Sequence, residues 1–599
     1  MVYAGPIDPA VRQREFTVTL RRSLAIALTV VTASPALAAS PAPLGADHGM
    51  VVTAQHLASD VGAKVLKEGG NVVDAAVAVG YALAVVFPAA GNLGGGGFMT
   101  IRLADGRSAF IDMREKAPGA ATPTMFQDEH GNVVEGRSTD TWLAVGIPGT
   151  VAGLEWARDR YGTKPRAALM APAIALARDG FVLAPADTSL LQLGTPTFAA
   201  DPATAAIFTH EGRPYAVGDT LVQPQLAATL EAISAGGADA FYRGPIAHSI
   251  AEASRTGGGI ITQEDLAGYK VRELSPVHCS YRGYDIQSAP PPSAGGVAIC
   301  EILQILEGYD LGAMGYHSAA EVHAMVEAMR RAYHDRQGLG DPDFVHDDIV
   351  KLIDKSYAAK LRAGIDPARA TSSASLDGLP QSKPEGQQTT HYSIADTAGN
   401  AVSVTYTLNS WFGLRRVAGD TGVLMNNEMD DFASKSGSAN QFGLVGSDAN
   451  AVAPGKTPIS SMSPTIVTKD GKLAMVIGSP GGSTIITTVV QAIVNVVDYG
   501  MTVSAAIDAP RIHMQWMPDV VFAEPLALSP DTRKILESQG YAFKDRAPWG
   551  QAAGITTDVF GRDGGGNDFA IPDLSRPPKG YKLYGADDDR DPVGSAAGD

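Results

Sequence analysis

QQTTHYSIADTAGNAVSVTYTLN, from Gln387 to Asn409, is the stretch on which the reading of the whole chain turns. Thr390 to Ile394 and Ala401 to Thr407 alternate side chains as half-buried strands do, and Asp396 to Asn400 supplies turn residues between them. The segment predicts a hairpin. A vicinal pair, Thr389 and Thr390, begins it; in most strands such a pair is packing, because threonine is a favoured strand residue.

The wording around the pair carries more. QTTHYS followed by TYTLN closely resembles the start of the small subunit in gamma-glutamyltranspeptidases, a family of the N-terminal-nucleophile hydrolase superfamily. The resemblance implies an α+β, four-layer αββα sandwich built jointly by two subunits, from a precursor that cuts its own backbone between Gln388 and Thr389. The chemistry suits the residue. A threonine hydroxyl is a weak nucleophile until a base takes its proton, and a freed N-terminal amine on the same residue can be that base. With an unperturbed pKa of roughly 7.7 to 8, the amine can accept and return a proton near neutral pH.

Outward from this point, 599 residues exceed one ordinary domain, and 45% hydrophobic with 19% charged residues describe a globular protein. A formal net charge of −17 argues against a nucleic-acid or anionic-membrane partner. Cys279 and Cys300 are the two cysteines; pairing in an oxidising compartment and two free buried thiols both fit. Arg12, Arg14, Arg21 and Arg22 precede an apolar run from Leu24 to Val31, with Ala36-Leu37-Ala38 as a small-residue cleavage site. Residues 1–38 therefore read as a secretory signal peptide, with a retained interfacial anchor as the alternative. The expected organisation is a large subunit over 39–388 and a small subunit over 389–599, forming a heterodimer with no stable membrane span, in the periplasm or secreted.

Ahead of the hairpin, Met50 to Gln55 reads as a strand, His56 to Gly70 as a helix ending at glycines, and Val72 to Phe87 as a buried helix capped by Asn71. Gly91 to Met99, GNLGGGGFM, lacks the spacing of a phosphate loop, so close backbone packing is the expectation. GGNVVDAAVA and GNLGGGGFM are similar to large-subunit motifs of the family, as are VGIPGTVAG from Val145 and EAMRRAYHDRQGLGDPDF from Glu327. The last two, with PPPSAGG at Pro290 to Gly296, read as scaffold. The 12 histidines form no HExxH or Cys/His grouping, so neither a metal nor another cofactor is expected. Ser372 to Glu385, polar and rich in Ser, Pro and Gly, reads as an exposed linker before the cut, and Arg562 to Lys582 as a surface loop.

The resemblance also assigns roles. Thr389 is the nucleophile and Thr407 holds its hydroxyl; Gly481 and Gly482, at a strand-to-helix turn whose N–H groups are free to converge, form the oxyanion hole. Arg114, with Ser460 and Ser461, takes the α-carboxylate of the γ-glutamyl group, for which a guanidinium fork is suited. Without the resemblance, Arg114 would be a strand-end arginine paired with Glu115 or solvent. Glu428 and Asp431 take the α-ammonium, since paired carboxylates favour a cation between them. Asn409 contacts the glutamyl head group, sharing a strand face with Thr407. Phe442, in a lid from about Ser436 to Gly446, stands where bacterial relatives usually have tyrosine, and Glu428 where they commonly have glutamine. The implied activity is γ-glutamyl transfer from glutathione and related compounds to water or to amino acid or peptide acceptors. A glutaryl (cephalosporin-type) acylase of the same family and a non-catalytic periplasmic solute-binding protein are the alternatives.

Overall fold

The computed structural model describes residues 40–376, 388–560 and 582–599. The signal peptide and most of the linker and of the Arg562–Lys582 tail lie outside the described residues. Two seven-stranded sheets lie at the centre. One runs Ser595–Gly598, Gly49–Thr53, Thr390–Asp396, Ala401–Thr407, Gly96–Arg102, Ser108–Met113, Arg272–Leu274. The other runs Leu44–Ala46, Leu583–Asp587, Ala553–Thr557, Lys472–Gly478, Thr465–Lys469, Tyr284–Ser288, Val277–Tyr281.

Each sheet must cover two faces, and the sequence supplies a different layer for each. Tyr392, Ile394, Val402 and Val404 of the first sheet pack with the helix Val72–Val86. Ile286, Val467 and Met475 of the second pack with Gly295–Leu306, Ala319–Asp335 and Thr484–Val497. Between the sheets lie Met50, Val52, Ala395, Ala401, Ile466, Leu473 and Val476. The order is helix, sheet, sheet, helix, as expected from the resemblance. The apolar Val72–Val86 helix tolerates an acid because Asp74 closes a capping box with Asn71 and accepts from Thr163 and Lys164.

The expected hairpin is present as Thr390–Asp396 and Ala401–Thr407, with Thr390 opposite Tyr406. It sits mid-sheet, between Gly49–Thr53 and Gly96–Arg102. Every partner strand outside the hairpin but one comes from before Thr389. A cut at Gln388 would therefore leave two fragments sharing one sheet, held by its ladder and by both cores. The glycine run packs backbone on backbone: a Cβ on Gly95 would lie 2.0 Å from the carbonyl oxygen of Thr407, and one on Gly97 2.4 Å from that of Thr405. Cys279 and Cys300 form a disulfide, with Cα atoms 5.8 Å apart. No helix among the described residues is long and apolar enough to cross a membrane.

Candidate active site

The hairpin brings its two threonines together. Thr389 Oγ1 donates to Thr407 Oγ1 at 3.1 Å, and Thr407 Oγ1 accepts the N–H of Asn409 at 2.8 Å. Thr407 is fixed from behind, where Asn92 Nδ2 donates to its carbonyl and Asn92 Oδ1 accepts from Gly95 and Thr150. Thr389 has φ 105°, a left-handed conformation that costs a β-branched residue of order 1–3 kcal/mol. The Gln388 carbonyl oxygen accepts the N–H of Gly481 at 3.1 Å. The bond before Thr389 thus has a hydroxyl on one side, a polarising donor on its oxygen, and strain in the residue that follows it.

Thr407→Val is expected to leave the buried Asn409 N–H without its acceptor, at a cost of about 1–3 kcal/mol, and to leave Thr389 Oγ1 untethered. Chain cutting should slow by at least tenfold in a time course on denaturing gels; an unchanged rate would count against the contact.

Gly481 and Gly482 lie between the strand Lys472–Gly478 and the helix Thr484–Val497, at φ 131° and 58°, where side chains are disfavoured. A Cβ on Gly482 would lie 2.6 Å from Phe442 Cδ1, so the Phe442 ring covers this turn.

Arg114, at the end of Ser108–Met113, is fully buried and bonds to Glu428 through Nη1 and to Asp431 through Nη2; Glu115 Oε2 lies 3.7 Å from Nη1. Burial disfavours its charge, but Glu428, Asp431 and Glu115 outweigh that and raise its pKa above the ordinary value. Burial pushes Glu115 up to about 7 and Glu428 well above the usual carboxylate range, against the pull of Arg114. Both oxygens of Glu115, Glu428 Oε2 and Arg114 Nε have no hydrogen-bond partner. Buried polar atoms are normally satisfied, so four orphans in one place mark a receptor for a molecule with both donors and acceptors. Among the described residues no group of His, Cys, Asp and Glu could hold a metal ion.

Ten of the eleven expected positions line one cavity, namely Arg114, Thr389, Thr407, Asn409, Glu428, Asp431, Phe442, Ser460, Ser461 and Gly482. Gly481 does not line it; its N–H meets the Gln388 carbonyl, next to Thr389. The segment read as scaffold, Pro290–Gly296, braces the serine pair: Ser460 N donates to the Pro292 carbonyl and Ser293 Oγ to that of Met462.

One expectation needs correcting. Asn409 does not share a strand face with Thr407, because the strand ends at Thr407 and Asn409 turns in at φ 75°; its Nδ2 donates to the Asn427 carbonyl. The lid without a tyrosine is still latched, since Ser410 Oγ donates to Gln441 Oε1, Gln441 N to Asp430, and Asn440 Nδ2 to Asp431. Glu115, Gln441 and Arg336 also belong to this site, and sequence reasoning had not placed them there.

A family model, Gamma-glutamyltranspeptidase, matches residues 58–569. The chain is 56% identical over 94% of its length to a glutathione hydrolase proenzyme of Pseudomonas sp. (strain A14), covering 96% of that protein. It is 49% identical to a protein of the same description from Escherichia coli (strain K12), over 92% of this chain and 91% of the other. A cephalosporin acylase from Bacillus halodurans superposes with a TM-score of 0.77 at 25% identity, over 93% of this chain and 96% of the other.

Proposed function

This chain belongs to the gamma-glutamyltranspeptidase family, and on that premise we propose that it is a self-cleaving glutathione hydrolase and γ-glutamyltransferase with Thr389 as its nucleophile. In the precursor, Thr389 Oγ1 attacks the Gln388 carbonyl carbon, whose oxygen is held by Gly481 N–H, and the acyl group passes from nitrogen to oxygen. Water then opens the ester, leaving a carboxylate on Gln388 and an amine on Thr389. Large and small subunits, 39–388 and 389–599, stay together as a heterodimer.

In turnover the amine takes the Thr389 hydroxyl proton while the oxygen attacks the γ-carbonyl of the donor. Gly481 and Gly482 receive the oxyanion, the departing amine takes the proton, and water or an amino acid or peptide amine accepts the glutamyl group. Asn409, Ser460 and Ser461 position the head group.

The observation that carries this reading is the set of unsatisfied carboxylate oxygens on Glu115 and Glu428 beside the unsatisfied Arg114 Nε. An α-amino acid head supplies an ammonium for the first and a carboxylate for the second. A glutaryl group would leave those buried acceptors without donors. Signal-peptide character and the Cys279–Cys300 disulfide support a periplasmic or secreted location.

Denaturing electrophoresis, N-terminal sequencing of the smaller fragment and a donor panel test the proposal. Two fragments beginning at residues upstream and at Thr389, with γ-glutamyl-p-nitroanilide preferred over glutaryl-p-nitroanilide, are expected. A single uncut chain that binds donors without turnover would favour a solute-binding protein.

Phe442→Tyr adds a hydroxyl beside Gly482 and the lid latch. It is expected to change the ratio of transfer onto glycylglycine to hydrolysis by about 2- to 10-fold, the worth of one hydrogen bond. Unchanged partitioning would remove the lid from the account.

A further inference from the structure

Gln515 follows the short strand Ile512–His513 and is buried, yet it does not line the site cavity described above. Its side-chain amide is bonded at both ends. Oε1 accepts from Ser483 Oγ at 2.7 Å and from His513 Nε2 at 2.8 Å. Nε2 donates to the carbonyl oxygens of Phe442 at 3.4 Å and of Met517 at 3.2 Å. The two carbonyls decide this orientation, since an amide turned over would set its oxygen against two other acceptors. Burial pushes His513 down to about 3, so the ring is neutral and gives its one N–H to Gln515.

Those two ends meet two different parts of the site. Ser483 directly follows Gly482 and opens the helix Thr484–Val497, and its carbonyl takes the Tyr333 hydroxyl. The turn that carries Gly481 and Gly482 is therefore tied down from behind at its last residue. Phe442 is the lid residue whose ring covers Gly482. The lid's bonds to Ser410, Asp430 and Asp431 run through Asn440 and Gln441, whereas Gln515 reaches Phe442 itself. Accepting from the turn at one end and donating to the lid at the other is work for an amide: glutamate lacks the donor, and methionine lacks both. We propose that Gln515 is a positioning residue that holds the Phe442 lid over the oxyanion turn and so sets how the γ-glutamyl-enzyme divides between water and an amine acceptor. A ring pinned over Gly482 keeps water from the acyl carbonyl, and a ring set loose lets it in. This rests on the γ-glutamyl reading above.

The test reads partition as γ-glutamylglycylglycine over free glutamate formed from γ-glutamyl-p-nitroanilide with glycylglycine present. Gln515→Glu keeps an acceptor for Ser483 and His513 and removes the donor to Phe442. Cutting at Thr389 should then stay within about threefold, while transfer relative to hydrolysis falls by about 2- to 10-fold, the scale of one hydrogen bond. In a Phe442→Ala background there is no ring to hold, and the same substitution should change partition by less than about 1.5-fold. An equal change in both backgrounds would make Gln515 merely structural, and no change in either would leave it without a role; both results overturn the proposal. If Gln515→Glu stays uncut on denaturing gels, Gln515→Met serves in its place, with the same fall in transfer and the same dependence on the Phe442 ring; an uncut methionine variant also overturns it. If the unaltered enzyme prefers glutaryl-p-nitroanilide, the γ-glutamyl reading fails instead, and the same comparison made with that donor still decides what Gln515 does.

Discussion

Thr389→Ala is expected to yield a single uncut chain with no measurable release of p-nitroaniline from γ-glutamyl-p-nitroanilide, a loss of roughly 10⁴-fold or more, as when a covalent nucleophile is removed elsewhere. The size follows from how much one residue does. Its hydroxyl lies 3.1 Å from Thr407 Oγ1 and opens the bond before it, and its nitrogen becomes the base only once that bond is open. Alanine removes the hydroxyl and so never frees the amine. Strain at residue 389, at φ 105°, would not rescue the variant, because strain weakens a bond without supplying an attacking atom. Thr389→Ser separates chemistry from folding: it keeps the hydroxyl, so it should still be cut, more slowly for want of the methyl that fixes the rotamer. Turnover by an uncut Thr389→Ala chain would overturn the mechanism.

The sequence made the hairpin legible because three signals agree there: alternation in Thr390–Ile394 and Ala401–Thr407, turn residues between them, and a motif at its mouth. Its strands came within two residues of their observed ends. The αββα order came from the resemblance and not from the pattern, since strands buried on both faces, such as Thr390–Ala395, show no polar side to read. The glycine run was legible by elimination and proved to be close packing at Gly95 and Gly97. What stayed hidden has no local signature. Arg336 meets Ser461 across 125 residues and Arg114 meets Glu428 across 314, and nothing in a charged residue's neighbours says that it is buried. Asn409 was assigned the right cavity for the wrong reason, because period-two alternation holds only while the strand continues, and a left-handed turn intervenes. The cysteines were undecided because pairing depends on a 5.8 Å approach between Val277–Tyr281 and the helix Gly295–Leu306, which spacing alone does not give.

Arg114→Gln should lower γ-glutamyl turnover by about 10³-fold and destabilise the protein by about 3–5 kcal/mol at pH 8, the range found when one partner of a buried ion pair is removed. Three carboxylates, Glu115, Glu428 and Asp431, would be left near one another with no cation. The pH dependence distinguishes this from a packing defect. Arg114 is the chief influence holding down the pKa values of Glu115 and Glu428 against burial, so its loss raises both further. A carboxyl whose folded pKa exceeds its unfolded value binds more protons when folded, so stability falls as pH rises between the two values and recovers as pH falls. With Glu115 already at about 7 in the unaltered protein, the variant's window extends upward from the unfolded carboxylate range, near 4.3, past neutrality. The gap in melting temperature between the two proteins should therefore narrow as pH is lowered from 8 to 6. Comparing the pair at each pH removes the acid sensitivity they share. Cutting at Thr389 should survive, since its contacts to Thr407 and Gly481 do not pass through Arg114. A gap that stays constant from pH 8 to 6 would mean that lost packing, and not uncompensated charge, is what the substitution costs.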